Sequence, residues 1–308
     1  MNKIQTPGRH PLSIPVKGGQ PIEGVRLVGN QPGKTLVVTA GVHGDEYVGI
    51  QAVRELLAQL SPGELSGQVI FVPVVNAGGF FAGTYRVPED GENLNRCFPG
   101  AKGETYTWNM ASALEAALYP QADFLLDLHS GGIYESMEPL AFFPVDAGET
   151  VERISRQAGQ TLSLTFLVQS FARDGLYSWA AQQGIPGLLV ERGPRASEPH
   201  TQAVKESIAY MRRNLDQELS LERLADQAAL SPSHYIRVFR RYTGQTPFAF
   251  LSDLRLREAA HCLEQGMTVS ETALHVGLGN LSYFIRLFRQ RYGQTPKQYQ
   301  LGLTSRKK

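Results

Sequence analysis

TLVVTAGVHGDE, residues 35–46, joins an apolar run to a turn that contains a histidine and two acids. The apolar run predicts a short buried strand, and residues 47–60 place apolar side chains at helical spacing. His43 and Glu46 therefore fall at a strand-to-helix turn, where their side chains can converge on one metal ion. The same pattern fits a polar turn that caps the helix with acids near the positive end of its dipole. A catalytic zinc site needs a third protein ligand and an open position for water. Whether this turn is a zinc site or a helix cap therefore depends on finding a third ligand elsewhere in the chain.

Length and composition predict a soluble protein of about two domains. The chain has 308 residues, of which 42% are hydrophobic, and a domain has about 150 residues on average. No apolar stretch approaches the roughly 18 residues that span a bilayer, and residues 1–15 lack the features of a signal peptide. We therefore expect a cytoplasmic protein without membrane association, in which Cys97 and Cys262 remain free thiols.

Net charge divides the chain near residue 200. Residues 1–200 hold 14 lysines and arginines against 20 acids, a net charge of −6, whereas residues 201–308 hold 16 against 9, a net charge of +7. A basic module joined to an acidic one indicates that only the second module faces a polyanion. An ordinary solvated surface would explain the same net charges, so sequence motifs are needed to distinguish it from a nucleic-acid-binding surface.

Strand-like and helix-like runs alternate in the first 200 residues, which predicts a three-layer α/β domain with a largely buried sheet. The predicted strands are residues 25–28, 35–40, 69–75, 122–128, 164–169 and 187–190, and the predicted helices are residues 47–60, 105–118, 148–160 and 177–183. Polar residues follow several of the strands at their carboxyl ends, where open α/β sheets place their ligand sites.

Two of these strand ends carry the residue types that a metal site needs. LLDLHSGG, residues 125–132, ends a strand with His129, the natural third ligand, and Asp127 lies on the same face as an outer-shell candidate. GLLVERG, residues 187–193, ends a strand with Glu191, which is placed as a general base would be. A salt bridge from Glu191 to a neighbouring arginine is the alternative interpretation.

A long loop dense in turn formers reads YRVPEDGENLNRCFPG, residues 85–100. Such loops are usually functional or disordered. Asn95 and Arg96 offer amide and guanidinium donors in the fork geometry that holds a carboxylate, and Arg86 offers another positive charge. The loop is therefore a candidate for binding an anionic substrate group.

Taken in order, GVHGDE, DGENLNRCFPG, DLHSGG and LLVERG resemble the motifs of the succinylglutamate desuccinylase and aspartoacylase family, relatives of the zinc carboxypeptidases. The resemblance covers roughly residues 5–200. It implies a zinc carboxypeptidase-like domain with a central mixed sheet and one zinc ion per chain, bound by His43, Glu46 and His129. It also implies hydrolysis of an amide or acyl-amino-acid bond.

The resemblance assigns the remaining polar residues as well. It implies that Asn95 and Arg96 hold a substrate carboxylate, that Arg86 polarises the scissile carbonyl, and that Glu191 is the catalytic glutamate. Arg173 competes with Arg86 for its role. Two departures predict a more open site: Gly193 is followed by Pro194 and Arg195 where relatives carry a glycine pair, and no β-rich C-terminal domain follows.

From about residue 200 the sequence predicts nearly continuous helix. SHYIRVFRRYTGQTP, residues 233–247, recurs as SYFIRLFRQRYGQTP, residues 282–296. Each copy follows a short amphipathic helix and a turn, so the repeat predicts two helix-turn-helix units. A helix over residues 247–265 is expected to join them.

The repeat separates core positions from exposed ones by helical spacing. The expected core residues are Tyr235, Val238, Phe239, Phe284, Leu287 and Phe288. The expected base-reading residues in the major groove are Ser233, Arg237, Ser282, Tyr283 and Arg286. The expected phosphate contacts are Arg240, Arg241, Arg289, Arg291 and Lys297.

This part of the chain resembles the AraC/XylS-type DNA-binding domain over roughly residues 205–302. The resemblance implies a double-stranded DNA operator whose successive major grooves receive the two units. GQTP after each recognition helix fits the family, as do Ala273 and Gly277 in the second unit. Ile236 falls where some relatives carry a polar base-reading residue, so readout by the first unit is expected to depend mainly on Arg237.

Together these features predict a bacterial-type transcriptional regulator with an α/β zinc-hydrolase-like domain, residues 1–203, and an all-α AraC-type domain, residues 204–308. Two hypotheses remain for the first domain. It senses an acylated amino acid or a related carboxylate metabolite, or it is a working deacylase or carboxypeptidase-like enzyme. The sequence leaves open the substrate, the operator and whether the chain forms a homodimer.

Overall fold

The chain divides into two compact units, Met1–Thr201 and Gln202–Lys308. The computed structural model describes residues 6–131, 137–192 and 200–306. Gly132, Gly193, Pro194 and Arg195, which belong to the motifs above, lie outside the described residues. The first unit is α/β and the described part of the second is helical, so the predicted fold class is confirmed.

A mixed sheet of eight strands lies at the centre of the described part of the first unit. The strands are Gly8–Ile14 (β1), Ile22–Val28 (β2), Gln31–Ala40 (β3), Ser66–Val72 (β4), Phe124–His129 (β5), Leu140–Pro144 (β6), Phe166–Ser170 (β7) and Gly187–Glu191 (β8). Their order across the sheet is β1-β2-β4-β3-β5-β8-β6-β7. The four central strands β4, β3, β5 and β8 are parallel, whereas β2 and β6 border them antiparallel.

Helices cover both faces of this sheet. They are Tyr47–Gln59 (α1), Ala77–Ala82 (α2), Tyr106–Leu118 (α3), Glu149–Thr161 (α4) and Leu176–Gln182 (α5). Side chains of α3 and α5 share one core with Val37 and Leu125. On the other face α4 packs on β6 and β8, and Gly49 of α1 approaches Leu128. The domain therefore has the three layers that the alternating pattern predicts.

The carboxyl ends of β3, β5 and β8 meet at one edge of the sheet. Ala40 pairs with Leu128, and His129 pairs with Glu191 in the parallel ladder. This is the edge at which open α/β sheets bind their ligands. The sheet thereby brings together three motifs that are far apart in sequence.

Two strands and one helix of the first unit were missed by sequence patterns. β1 alternates exposed and half-buried residues and contains Pro11, which an edge strand tolerates because it pairs on one side only. β6 is five residues long and ends in Pro144. α2 is glycine-rich and only six residues long, so it offers no helical periodicity to detect.

From residue 200 the described residues form seven α-helices, the first of which begins two residues before the second unit. They are His200–Arg213 (α6), Leu221–Gln227 (α7), Pro232–Thr243 (α8), Pro247–Glu264 (α9), Val269–His275 (α10), Leu281–Tyr292 (α11) and Pro296–Arg306 (α12). α7 with α8 and α10 with α11 form the two predicted helix-turn-helix units. Both recognition helices end at a left-handed glycine, Gly244 and Gly293, where a residue with a Cβ would be strained.

The core of the second unit is aromatic, as the repeat predicts. Tyr235, Phe239, Phe284 and Phe288 are fully buried, whereas Leu287 is half-buried at the edge of the core. Among the helices of the described residues, none is both long and apolar enough to cross a membrane.

Candidate active site and nucleic-acid interface

The turn after β3 is held by glycines and backbone hydrogen bonds. Gly41 has a positive φ of 66°, and its carbonyl accepts a hydrogen bond from the backbone amide of Asn76 at 2.8 Å. A Cβ on Gly44 would lie 2.0 Å from the carbonyl carbon of Gly79 in α2. The turn can approach α2 this closely only with glycine at position 44.

His43, Glu46 and His129 form a buried group, which we call the metal cluster. One oxygen of Glu46 lies 2.7 Å from Nδ1 of His43, and the other lies 2.8 Å from Nδ1 of His129. Potential ligand atoms from the three residues all lie within 4.8 Å of one another. The structure therefore brings together the three predicted ligands.

The other ring nitrogens of the metal cluster face oxygen acceptors. Nε2 of His129 lies 3.0 Å from Oδ2 of Asp127, and Nε2 of His43 lies 3.1 Å from Oδ1 of Asn93. The latter oxygen also accepts a hydrogen bond from the backbone amide of Asn95. This arrangement favours a proton on each Nε2 and a lone pair on each Nδ1.

Such lone pairs point at the Glu46 carboxylate, which is itself an acceptor. Two acceptors at 2.7–2.8 Å require a proton or a cation between them. Two imidazole nitrogens and a carboxylate, each fixed by outer partners, are a suitable donor set for a divalent metal ion. The residues present thus fit a metal centre.

Electrostatics favour positive charge at the same point. Burial disfavours the charged form of Glu46, but His129 and His43 outweigh it and lower the pKa of this carboxyl to about 2. Burial also opposes charge on His129, yet Asp127 and Glu46 raise its pKa well above the ordinary value. Two buried carboxylates therefore surround the two imidazoles and stabilise a cation among them.

Glu191 lies at the end of β8 beside the metal cluster. It pairs with His129 in the parallel register, so both side chains leave the sheet on the same face. Glu191 is half-buried. This position is compatible with the predicted role of a general base.

The loop between α2 and α3 carries the predicted substrate-binding residues. Asn95 is buried, and its Oδ1 accepts a hydrogen bond from the backbone amide of Leu176 at the start of α5. Arg96 is 58% exposed and donates to the carbonyl of Asn95. Asn93 in the same loop contacts the metal cluster, so it brings this segment to the site.

Arg86 and Arg173 are both solvent-exposed. Nη1 of Arg86 donates to the carbonyl of Gly91 at 3.0 Å, and Arg173 lies 3.5 Å from the carboxylate of Asp146. Neither contact joins an arginine to the metal cluster. The role of Arg86 as carbonyl-polarising group stays a prediction.

The predicted base-reading residues lie on exposed faces of the recognition helices. Ser233 and Arg237 are exposed on α8, and Ser282, Tyr283 and Arg286 are exposed on α11. The guanidinium of Arg286 lies 5.2 Å from the ring centre of Tyr283. Both helices therefore present hydrogen-bonding groups to solvent near their amino ends.

The predicted phosphate-contacting side chains differ in whether they form an ion pair within the domain. Four of them are exposed without an acidic neighbour among the ion pairs of the described residues: Arg240, Arg241, Arg289 and Lys297. Arg291 lies 3.6 Å from the carboxylate of Asp253. Part of its charge is therefore neutralised within the domain.

Comparison with known proteins assigns the larger part of the chain. Residues 32–219, more than half of the chain, match the succinylglutamate desuccinylase/aspartoacylase catalytic domain. The chain belongs to the succinylglutamate desuccinylase/aspartoacylase family. Residues 224–301 match a helix-turn-helix domain, so the recognition of both parts from their motifs is confirmed.

Individual relatives resemble either part. N-alpha-acetyl-L-2,4-diaminobutyric acid deacetylase of Halomonas elongata is 31% identical over 213 residues, which are 67% of this chain and 61% of that protein. A product-bound structure of the ectoine utilization protein EutE (DoeB) from Ruegeria pomeroyi has 28% identity and a TM-score of 0.57, covering 68% of this chain and 67% of that one. The Escherichia coli bifunctional transcriptional activator/DNA repair enzyme Ada is 36% identical over 99 residues, 32% of this chain and 28% of that protein.

Two neighbours of the metal cluster in this desuccinylase/aspartoacylase-family domain, Asn93 and Tyr85, are not predicted by the sequence motifs. The sequence does not distinguish Asn93 from Asn95, because DGENLNR contains both asparagines. Tyr85 stacks on His43 with ring centres 3.7 Å apart, and burial together with Glu46 raises the pKa of its phenol, which keeps it a hydrogen-bond donor. The only sequence signal for Tyr85 was its position beside Arg86.

Proposed function

We propose that this chain is a DNA-binding transcriptional regulator whose N-terminal domain binds an N-acylated amino acid, or a related carboxylate metabolite, at a zinc centre. The observation that carries the proposal is a complete buried metal cluster in a chain that also presents two helix-turn-helix units. Ligand binding would change the affinity of the recognition helices for an operator. Such a regulator would act in the cytoplasm, as a monomer or a homodimer.

The metal cluster would hold one zinc ion, with Asp127 and Asn93 fixing the two imidazoles. Zinc would supply Lewis acidity and lower the pKa of water towards about 7. In hydrolysis, Glu191 would take the proton from the attacking water and return it to the leaving amine. The carboxylate of Glu191 would thus serve first as base and then as acid.

The loop between α2 and α3 would bind the substrate. Arg96 and the amide nitrogen of Asn95 would hold the carboxylate of the amino acid, since Oδ1 of Asn95 already accepts from Leu176. Arg86 would polarise the acyl carbonyl. The similarity to the Halomonas elongata deacetylase makes N-alpha-acetyl-L-2,4-diaminobutyric acid the first compound to test.

Coupling between the two functions is tested with the zinc-loaded full chain and a duplex selected by it from a random-sequence pool. Saturating N-alpha-acetyl-L-2,4-diaminobutyric acid should change the DNA dissociation constant by about 5–150-fold, measured by fluorescence anisotropy. DNA should change the ligand affinity by the same factor in calorimetry. The control is His129→Ala, which should keep DNA binding and lose the ligand effect. Ligand binding without any change in DNA affinity would contradict sensing.

The second candidate function is turnover of the ligand, favoured by Glu191 at the end of β8 in register with His129. Glu191→Gln should retain zinc and ligand but lower the deacylation rate by about 10²–10⁴-fold. Glu55→Gln changes an exposed carboxyl of α1 and should leave the rate unchanged. A Glu191→Gln protein with the wild-type rate would refute this mechanism.

A further inference from the structure

The second unit contains another group of metal-ligand side chains. Glu258 and Cys262 lie one helical turn apart on α9, and His275 is the last residue of α10. A carboxylate oxygen, the thiol sulfur and an imidazole nitrogen of these residues all lie within 4.8 Å of one another. Neither the proposed hydrolase chemistry nor the DNA contacts use them.

The separations are slightly longer than those of ligands around a common metal ion, and the Cys262 thiol donates a weak hydrogen bond to Glu258. Sγ of Cys262 lies 3.8 Å from Oε1 of Glu258, and Nε2 of His275 lies 3.9 Å from the same oxygen. The second distance is too long for a hydrogen bond. A tetrahedral zinc ion with bonds of about 2.0–2.3 Å places neighbouring ligand atoms roughly 3.3–3.7 Å apart. The two distances exceed the upper end of this range by a few tenths of an ångström at most, and the thiol and imidazole lie within 4.8 Å of each other, so movements of up to about one ångström would bring all three into coordination.

The burial of the three residues allows that adjustment. Cys262 is 5% exposed and fixed in the core of the helical unit, whereas the side chains of Glu258 and His275 are 40% and 54% exposed. Because Glu258 and Cys262 are four residues apart on one helix, they share a face. The thiol forms a rigid anchor, and the other two groups can move towards it.

An open groove of about 820 Å³ reaches two of the three groups, Glu258 and His275, whereas Cys262 lies behind them in the core. Its lining includes Glu258 and His275, together with Arg212, Arg213 and Asp216. The positive charge of the two arginines opposes cation binding, so a metal ion here needs anionic ligands to offset it. A thiolate and a carboxylate together neutralise a divalent ion, and the groove leaves its remaining position open to water.

We propose that Glu258, Cys262 and His275 form a second metal site, specific for a divalent ion of the zinc class. A thiolate, an imidazole and a carboxylate are the ligand types that zinc and cobalt bind in proteins. Binding displaces the proton of the Cys262 thiol. The ion ties the connecting helix α9 to α10, the first helix of the second helix-turn-helix unit, and so links metal availability to the geometry of one half of the DNA-binding surface.

The experiment uses cobalt because sulfur ligation has its own spectrum. The metal-free full chain is titrated with Co²⁺ under reducing conditions, and thiolate-to-cobalt charge-transfer absorption is followed in the near ultraviolet. The metal cluster contains no sulfur and cannot give this band. We expect two Co²⁺ per chain with the band present, and we expect His129→Ala to lose one equivalent while keeping the band.

Three variants separate the site from a chance grouping. Cys262→Ser should abolish the band, and His275→Ala, at an exposed position, should weaken Co²⁺ binding there by at least about tenfold without disturbing the core. Cys97→Ser is the matched control, because Cys97 is the other buried thiol and should be irrelevant. Absence of the band at stoichiometric Co²⁺, or a band unchanged in both Cys262→Ser and His275→Ala, would overturn the proposal.

Discussion

At the scale of single residues, Asp127 sets the chemical state of His129. Its Oδ1 accepts a hydrogen bond from Thr39 at 2.6 Å, and its Oδ2 faces Nε2 of His129 at 3.0 Å. A buried carboxylate with these two partners keeps the imidazole proton on Nε2. Nδ1 is thereby available as a metal ligand.

Asp127→Asn should lower the zinc affinity of the metal cluster by about 10–100-fold. The new amide would keep its oxygen towards Thr39 and turn its NH₂ group to His129. That arrangement favours the tautomer with hydrogen on Nδ1 and removes the ligand lone pair. Competition against a chromophoric zinc chelator measures the change. Asp146→Asn, at a side chain that is 61% exposed, is the control and should bind zinc like the wild type.

The metal ligands could be predicted from sequence because each follows an apolar strand at a characteristic offset. Asn93 and Tyr85 could not, since they reach His43 from a loop fifty residues and forty-two residues further along the chain. No periodicity encodes where this loop, whose only regular structure in the described residues is two 3₁₀ turns, returns to the sheet. The apparent equivalence of Asn93 and Asn95 was also resolved only by geometry: Asn93 contacts His43, whereas Asn95 contacts α5.

At the scale of elements, the loop between α2 and α3 depends on Asp90. Its carboxylate accepts hydrogen bonds from the backbone amide of Thr107 at 2.8 Å and from its hydroxyl at 2.5 Å. These contacts attach the loop to the first turn of α3. Burial raises the pKa of Asp90, but hydrogen bonds from Thr107 outweigh it and lower the pKa below the ordinary value.

Asp90→Asn should destabilise the first unit by about 1–2 kcal/mol at pH 7, the usual contribution of one or two such hydrogen bonds. Because the folded-state pKa is depressed, the stabilisation is complete above the unfolded pKa near 3.9 and is lost as the pH falls through the folded value. The difference from wild type should therefore be equal at pH 7 and pH 5 and shrink below about pH 4.

Urea unfolding followed by tryptophan fluorescence measures this difference. Both tryptophans of the chain, Trp108 and Trp179, lie in the first unit, so the signal reports on the unfolding of that unit. Asp146→Asn serves again as the exposed control. An Asp90→Asn protein as stable as wild type at pH 7 would show that Asp90 does not hold the loop.

The recognition helices predict two kinds of DNA phenotype. Arg237→Ala or Arg286→Ala should relax preference at individual base pairs by about 1–3 kcal/mol. Arg241→Ala should weaken binding to all sequences and reduce the salt dependence by about one counterion. Anisotropy titrations of single-base variants of the selected duplex at several salt concentrations separate these effects. Identical phenotypes from the three variants would contradict the assignment of contacts.

At the scale of the whole molecule, the division of charge and the internal repeat predicted the architecture before any geometry. Buried strands with continuous apolar runs and long aromatic-lined helices were predictable because packing imposes their periods. β1 and β6 were missed because one is a half-exposed edge strand and the other is too short to show alternation. The order of strands in the sheet is set by long-range pairing, on which a linear pattern carries no information.

The connecting helix α9 has a consequence for the operator. It runs unbroken for 18 residues, begins with a cap from Thr246 and ends at Glu264. At 1.5 Å per residue it spans about 27 Å, somewhat less than the ~34 Å repeat of one turn of the double helix. Because α9 is continuous, we expect it to hold the two recognition helices at a fixed separation, so that binding depends on the spacing of the half-sites as well as on their base sequence.

An operator with five base pairs inserted between the half-sites should therefore bind like random sequence, because the second half-site would face away by half a turn. Arg237→Ala serves as a control that weakens one half-site without changing the dependence on spacing. Anisotropy on the spaced duplexes provides the measurement. Equal binding of the wild-type chain to all spacings would show that α9 does not fix the separation of the two recognition helices.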